Sequence, residues 1–335
     1  MVRYLRRMVP EDGRYDFDLT GSMVCSAFLF FLTGCSTSPD STFTTILPLE
    51  KNGEAISFLG DTLFRPEDDE TTFLQKDSLL REANTIYQTD SSDLNSIIWY
   101  GRRLAAMYRF KEAVVIFSTG ISFHPGAPEL YRHRGQLYII MRLPDAAIAD
   151  LQKAAALSMD RMIETEPDAI PNQLDLPLTN LRFNIYYQLG LAWYLKGEYQ
   201  KAVDAFSSCH PYAVNPDLTV AEMYWLYQSI LRLGEKYDAD SLLTTLDPYA
   251  EIFQHEPYLE TLLKYASSMN TKDQPLIKPD SLADGIELYG ICNWYRAHNR
   301  QAEASSLRHR ILASPDWINI GYIAAEADSS RLLVQ

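Results

Sequence analysis

Cysteine is nearly absent from this chain, with four in 335 residues, at positions 25, 35, 209 and 292. That is too few for a disulfide framework, and no C-x-x-C spacing offers a zinc or redox pair. The six histidines (124, 133, 210, 255, 298 and 309) make no H-E-x-x-H arrangement. Cys209 and His210 are neighbours, so on a helix they point about 100° apart and cannot readily share a metal. A G-x-S-x-G elbow and a phosphate-binding Walker loop are both missing. Basic residues are in deficit, 30 against 44 acidic, for a net charge of −14 and a pI near 4.9. Nucleic acid, whose phosphates demand a basic footprint, is therefore excluded as a partner. The acidic run Glu67-Asp68-Asp69-Glu70 lacks the alternate spacing and glycine of a calcium loop and reads as solvated linker. No apolar run approaches the ~20 residues needed to span a bilayer. Nothing here calls for a cofactor, a metal or a catalytic group.

What the chain does have is an echo at a fixed distance. Gly101 returns as Gly135, Ala113 as Ala147 and Phe117 as Leu151, each 34 positions on. The units 94–127 and 128–161 follow each other directly. A period of that length signals stacked helical hairpins. Two antiparallel helices cross closely only where one lacks bulk, which places Gly101 and Gly135 opposite Ala113 and Ala147. Ile97/Tyr131 and Leu104/Tyr138 supply the apolar stripe of the first helix, and Pro125 ends the second helix of the first unit. A third copy at 183–216 carries Tyr186, Gly190, Trp193, Ala202 and Phe206, after a 21-residue interruption (162–182) with Pro167, Pro171 and Pro177. A weaker fourth, 220–253, has Tyr227 where glycine is expected. Degenerate hairpins follow over 256–329, with Gly290 and Ala302 as their glycine–alanine pair, and residues 72–88 form a helix ahead of the array. No alternating strand pattern longer than four residues occurs in the region that folds. The fold class is all-α, and 47% apolar residues suffice for one elongated core.

This pattern resembles the tetratricopeptide repeat, with its aromatic, glycine, tyrosine, alanine, phenylalanine and proline at fixed positions. The likeness extends to uncharacterised bacterial repeat lipoproteins through stretches such as "WYGRRLA" and "FNIYYQLGLAWYL", and covers residues 80–329. It implies a right-handed superhelical solenoid whose concave groove is lined by the first helix of each hairpin. By register the groove candidates are Arg102, Arg132, Gln136, Tyr187, Tyr194 and Tyr224. Repeats one and two hold nine Lys/Arg against five Asp/Glu inside a strongly acidic chain, so an acidic peptide or protein segment is the implied partner. Ile98 and His133 stand where the chaperone-binding members need Lys and Asn for a carboxylate clamp, so that partner is not implied. The alternative is a solute- or glycan-binding lipoprotein of an uptake system, with Trp99, Trp193 and Trp225 stacking on sugars. Cys209, at a position where a small residue packs between helices, reads as a core thiol.

The address lies at the start of the chain. Residues 23–35, "MVCSAFLFFLTGC", hold an apolar run too short for a bilayer and suited to a signal-peptide core. The ending Leu32-Thr33-Gly34-Cys35 resembles the bacterial lipobox, whose cysteine becomes the lipidated first residue. Residues 1–34 are then a lipoprotein signal peptide, 35–71 a flexible tether and 72–335 the helical domain, in a bacterial cell envelope. Labelling cells with a fatty-acid analogue should mark the wild type and not Cys35→Ser. Equal labelling of the two, or an intact leader by mass spectrometry, would remove the anchor.

Overall fold

The computed structural model describes residues 52–167, 178–268 and 284–333. The apolar leader and Cys35 lie outside them, as do Pro171 and Pro177. Helix α1 (Glu70–Thr89) is followed by hairpins α2–α3 (Leu94–Ala106, Phe110–Phe123), α4–α5 (Pro128–Ile140, Pro144–Ser158), α6–α7 (Leu181–Leu195, Tyr199–Cys209) and α8–α9 (Pro216–Arg232, Lys236–Leu243). A single helix, α10 (Glu256–Ser268), precedes the last hairpin, α11–α12 (Gly285–Ala297, Gln301–Leu312), and α13 (Ile320–Leu333) ends the described chain. The all-α reading holds, with two small ribbons added: β1 (Gly53–Ile56) with β2 (Thr62–Phe64), and β3 (Thr165–Glu166) with β4 (Thr179–Asn180), both antiparallel. Among the described residues, no helix is long and apolar enough to cross a membrane.

One turn recurs in all five hairpins. Tyr108, Arg142, Gly197, Gly234 and Asn299 each take a positive φ, between 57° and 81°. The next N–H then closes on a carbonyl five residues back: Arg109 on Leu104, Leu143 on Tyr138, Glu198 on Trp193, Glu235 on Ile230 and Arg300 on Tyr295, at 2.8–3.3 Å. This satisfies the carbonyls that a helix end leaves without partners. The turn residue stands seven positions after Gly101, Gly135, Gly190, Tyr227 and Cys292. It therefore fixes the register of the last hairpin, and corrects it. Cys292, not Gly290, occupies the close-approach position, with its thiol against the Ala304 carbonyl (3.1 Å). Ala302 is exposed, and Gly290 instead makes room for the hydroxyls of Tyr265 and Tyr224.

The glycines also face a different neighbour from the one expected. A Cβ on Gly101 or Gly190 would sit 2.6 Å from the ring of Phe117 or Phe206, and one on Gly135 would sit 2.8 Å from Leu151. The bulky residue of the second helix, rather than its alanine, fills the space. Ala113, Ala147 and Ala202 are fully buried at the same crossings, and the Ala147 carbonyl lies 3.4 Å from the added Cβ at Gly135. Cys209 is buried in the third hairpin as expected, and burial raises its thiol well above the ordinary value.

The expected tether does not run through residue 71. From residue 52 the chain is folded, because β1–β2 carries its own anchors. Ala55 and Leu63 join the core of the first two hairpins. The fully buried Glu54 carboxylate accepts the Lys111 N–H at the start of α3 (3.0 Å) and pairs with Arg65 (2.6 Å). A helix N-terminus and a guanidinium together compensate a charge that burial would otherwise disfavour. The acidic run that reads as solvated linker is likewise in use. Asp69 caps α1 through the Thr72 N–H (3.0 Å), and Asp68 accepts from Lys76 (2.8 Å) and the Tyr108 hydroxyl (2.9 Å). Further along, Asp217 holds the loop before α10 through the N–H groups of Phe253, Gln254 and His255. Burial pushes its carboxyl up, but these bonds and His255 pull harder, down to about 2.

The last helix closes the array. Trp317, just before α13, packs edge-on against Phe110 and donates its indole N–H to the Phe64 carbonyl (2.8 Å). Glu326 of α13 pairs with Arg142 at the second turn (2.8 Å), both fully buried, and accepts the Phe58 N–H. Asp328 pairs with Arg232 (2.6 Å) at the end of α8, and Arg331 donates to the Leu195 carbonyl (2.5 Å) at the end of α6. Thus α13 reaches the turn-side ends of the second, third and fourth hairpins.

The crossing contacts yield a direct test. Gly190→Ala drives a methyl into the Phe206 ring and should cost about 1–3 kcal/mol, as overpacking does. Gly126→Ala meets nothing within 4 Å and serves as the control. Equal urea midpoints for the two variants would refute the contact.

Candidate functional site

Three successive first helices converge on one dipeptide. The interruption between the second and third hairpins returns as the β3–β4 ribbon, which brings Glu166-Pro167 against α2, α4 and α6. Arg102 of α2 donates to the Pro167 carbonyl. Arg132 of α4 stands 3.2 Å from the Glu166 carboxylate, and Asn184 of α6 donates its amide to the same oxygen (2.5 Å). Thr179 of β4 donates to Asn184 in turn (3.0 Å), which fixes the amide's orientation. Gln136 accepts from Arg132 (3.0 Å). Arg102, Arg132 and Gln136 thus lie together, in the wall of a cavity of about 370 Å³ that Ala105, Ala106 and Ile140 also line.

His133 completes the polar wall. Its ring stacks on Phe117 (5.4 Å) and its Nδ1 accepts from Arg132 (2.7 Å). Burial first, and then the nearby charges of Arg132 and Arg102, push its pKa well below the ordinary value, so the ring is neutral and able to accept. Its Nε2 is 3.6 Å from Glu166, beyond hydrogen-bonding reach. Burial also pulls the Arg132 guanidinium down, while Glu166 pulls it up. The chemistry on offer is recognition: guanidinium and amide donors held in place for a carboxylate and a carbonyl.

The rest of the expected groove is closed. Tyr194 and Tyr224 are fully buried, and Tyr187 shares a hydrogen bond with Tyr258 (3.0 Å). Tyr194 meets the Tyr289 hydroxyl (2.7 Å), Tyr224 donates to the Ile286 carbonyl (2.6 Å), and Tyr289 donates to Asp328 (3.2 Å). Asn293 links Gln228 (2.7 Å) to this network, and Gln228 donates to Tyr265 (3.0 Å). The physical reason is the later helices: α10 and α11 pack on α8, and α13 packs on α6, α11 and α12. Groove positions of repeats three and four become core. Trp225 is fully buried as well, so it cannot stack on a sugar, while Trp99 is covered by Arg102 and Arg103 at 4.8 and 4.9 Å.

The basic excess of repeats one and two is also spent internally. Arg134 forms a two-point pair with Asp150 (2.7 Å each), Arg161 pairs with Glu129 (2.8 Å), Arg142 with Glu326 and Arg132 with Glu166. Glu166 and Glu326 lie outside those repeats, so a local charge count could not include them. The expected ring around Arg102 and Arg132 therefore keeps Gln136 and exchanges Tyr187 for Asn184, His133 and Glu166. Asn184 was legible as a groove position by repeat register. Glu166 had no sequence signal beyond its place in an interruption of the array.

These features define the class. The recurring turn and the glycine–phenylalanine crossing make the described region a helical-repeat solenoid of the tetratricopeptide type. No protein-family model matches the chain, and no curated protein matches it. Among solved structures it is similar to MamA (17% identity over 53% of this chain and 91% of that one, TM-score 0.40). It is also similar to YrrB, a TPR protein with an unusual peptide-binding site (11%, 74% and 97%, TM-score 0.41), and to PilW, a type IV pilus biogenesis factor (11%, 74% and 94%, TM-score 0.43). The repeat class rests on the turn and the crossing, not on these overlaps.

The buried pair can be tested by a double-mutant cycle. Arg132→Met or Glu166→Leu leaves a charge buried without its partner, at an expected cost of about 3–5 kcal/mol each. The double variant removes both charges and should lose far less than the sum, measured by urea unfolding. Strictly additive losses would mean that the two groups are not coupled.

Proposed function

We propose that this protein is a non-enzymatic scaffold that binds a segment of another protein against its first helices, while lipidated Cys35 holds it at a bacterial envelope membrane. The carrying observation is the wall in which α2, α4 and α6 each present one side chain to the same dipeptide, Glu166-Pro167. Register explains it: Arg102, Arg132 and Asn184 sit at positions that face the inner side of such an array. The cavity beside them, about 370 Å³, has room for a few side chains rather than a whole domain. The Cys35 anchor rests on the L-T-G-C motif.

Arg102 is the residue to change, because it is only half-buried where it meets Pro167, whereas Arg132 is buried against Glu166. Arg102→Ala should weaken capture of the partner from solubilised membranes by roughly tenfold or more, the usual worth of a charge-assisted hydrogen bond. Helix content by circular dichroism should be unchanged. Undiminished capture, or thermal stabilisation by a glycan panel in place of any protein partner, would overturn the scaffold reading.

A further inference from the structure

The wall is already in contact with extended backbone, and that backbone belongs to the chain itself. Residues 164–167 are held from one side by ribbon pairing: the Leu181 N–H bonds the Glu164 carbonyl (2.9 Å), and Thr165 and Glu166 pair with Asn180 and Thr179. Three further side chains reach them: Asn184 and Arg132 meet the same oxygen of the Glu166 carboxylate, and Arg102 meets the Pro167 carbonyl. The Glu166 carboxylate accepts from the Asn184 amide and pairs by charge with Arg132, and the carbonyl of the following residue accepts from Arg102. An extended peptide bound to a protein is held in the same way: main-chain hydrogen bonds give affinity and side-chain contacts give specificity. A crosslink between repeats would need neither extended backbone nor a carbonyl contact.

We propose that Glu166-Pro167 is a tethered stand-in for the ligand, and that the partner is an extended acidic segment that displaces it. The segment places a glutamate between Arg132 and Asn184 and, one residue on, a backbone carbonyl on Arg102. This rests on the scaffold reading and gives it a partner class. The tether makes the protein self-competing. A partner's apparent affinity is reduced by the fraction of molecules whose own strand is docked, so weak acidic segments are rejected and only a better-fitting one enters. The acidic balance of the whole chain works in the same direction, because Arg132 is neutralised until the strand leaves.

The probe is an acetylated, fluorescein-labelled peptide of residues 162–167 (Met-Ile-Glu-Thr-Glu-Pro), added to the full-length protein and followed by anisotropy. Glu166→Gln keeps an acceptor for Arg132 and Asn184 but removes the charge, so the tethered strand competes less well. The variant should bind the peptide about tenfold more tightly than wild type, and a peptide with glutamine at the fifth position should lose that gain. Hydrogen exchange on wild type avoids any folding defect of the variant: saturating peptide should speed exchange at Glu166 and Leu181. Equal affinities with unchanged exchange would overturn the tethered-strand proposal. Arg102-dependent capture from membranes would then still stand, so the two readings fail separately.

Discussion

One buried ion pair ties the last helix back to the start of the array. Arg142 and Glu326, 184 residues apart and fully buried, fasten the second turn to the last helix. Around them gather the Trp317 carbonyl on the guanidinium (2.8 Å), the Trp317 ring beneath it (5.2 Å) and the Phe58 N–H on the carboxylate. Three parts of the chain thus meet at one pair: the array, the β1–β2 ribbon and α13. Such a pair adds little over apolar packing, but removing one partner costs several kcal/mol. Its effect is to specify where the last helix goes. Arg142 also tolerates a left-handed backbone (φ 63°) that glycine would occupy with less strain. Glycine could not make these contacts.

Closure changes what the repeat architecture can bind. In an open solenoid each first helix adds to a long concave surface. Here α10, α11 and α13 cover the inner faces of the third and fourth hairpins, and the tyrosines placed there become a hydrogen-bonded core. Buried hydroxyls require partners, and each finds one across a helix boundary, as Tyr194 does with Tyr289. What stays open on the inner side lies beside the first two hairpins, where the β3–β4 ribbon borders a cavity.

The local period was legible because its cause is local. Gly101 with Phe117 and Gly190 with Phe206 are crossings within one hairpin, written at fixed spacing. The fifth hairpin was misread by two residues because glycine at 290 looked like the signal, although its lack of bulk serves two tyrosine hydroxyls instead. Asn299 was the better marker, since asparagine tolerates a positive φ and aligns with Gly197 and Gly234. The site was half legible: repeat register found Arg102, Arg132 and Gln136, which the fold does bring together. Glu166 and Glu326 were beyond reach, because which acid meets which arginine depends on topology. The inner-face tyrosines were misassigned for the same reason, as nothing in their own repeats tells that later helices cover them.

An array of hairpins is ordinarily a one-dimensional system in which each unit feels only its neighbours and the ends fray first. Joining the second turn to the last helix converts that line into a loop. Fraying of the final hairpin then releases Arg142, and loosening of the first hairpin strips Trp317 from Phe110, so neither end can open at the cost of a terminal unit alone. The stability of the whole should behave as a single cooperative quantity rather than a sum over repeats. Assembly carries the opposite burden: the hairpins form from nearby contacts, whereas the closing helix waits for the most distant contacts in the described chain.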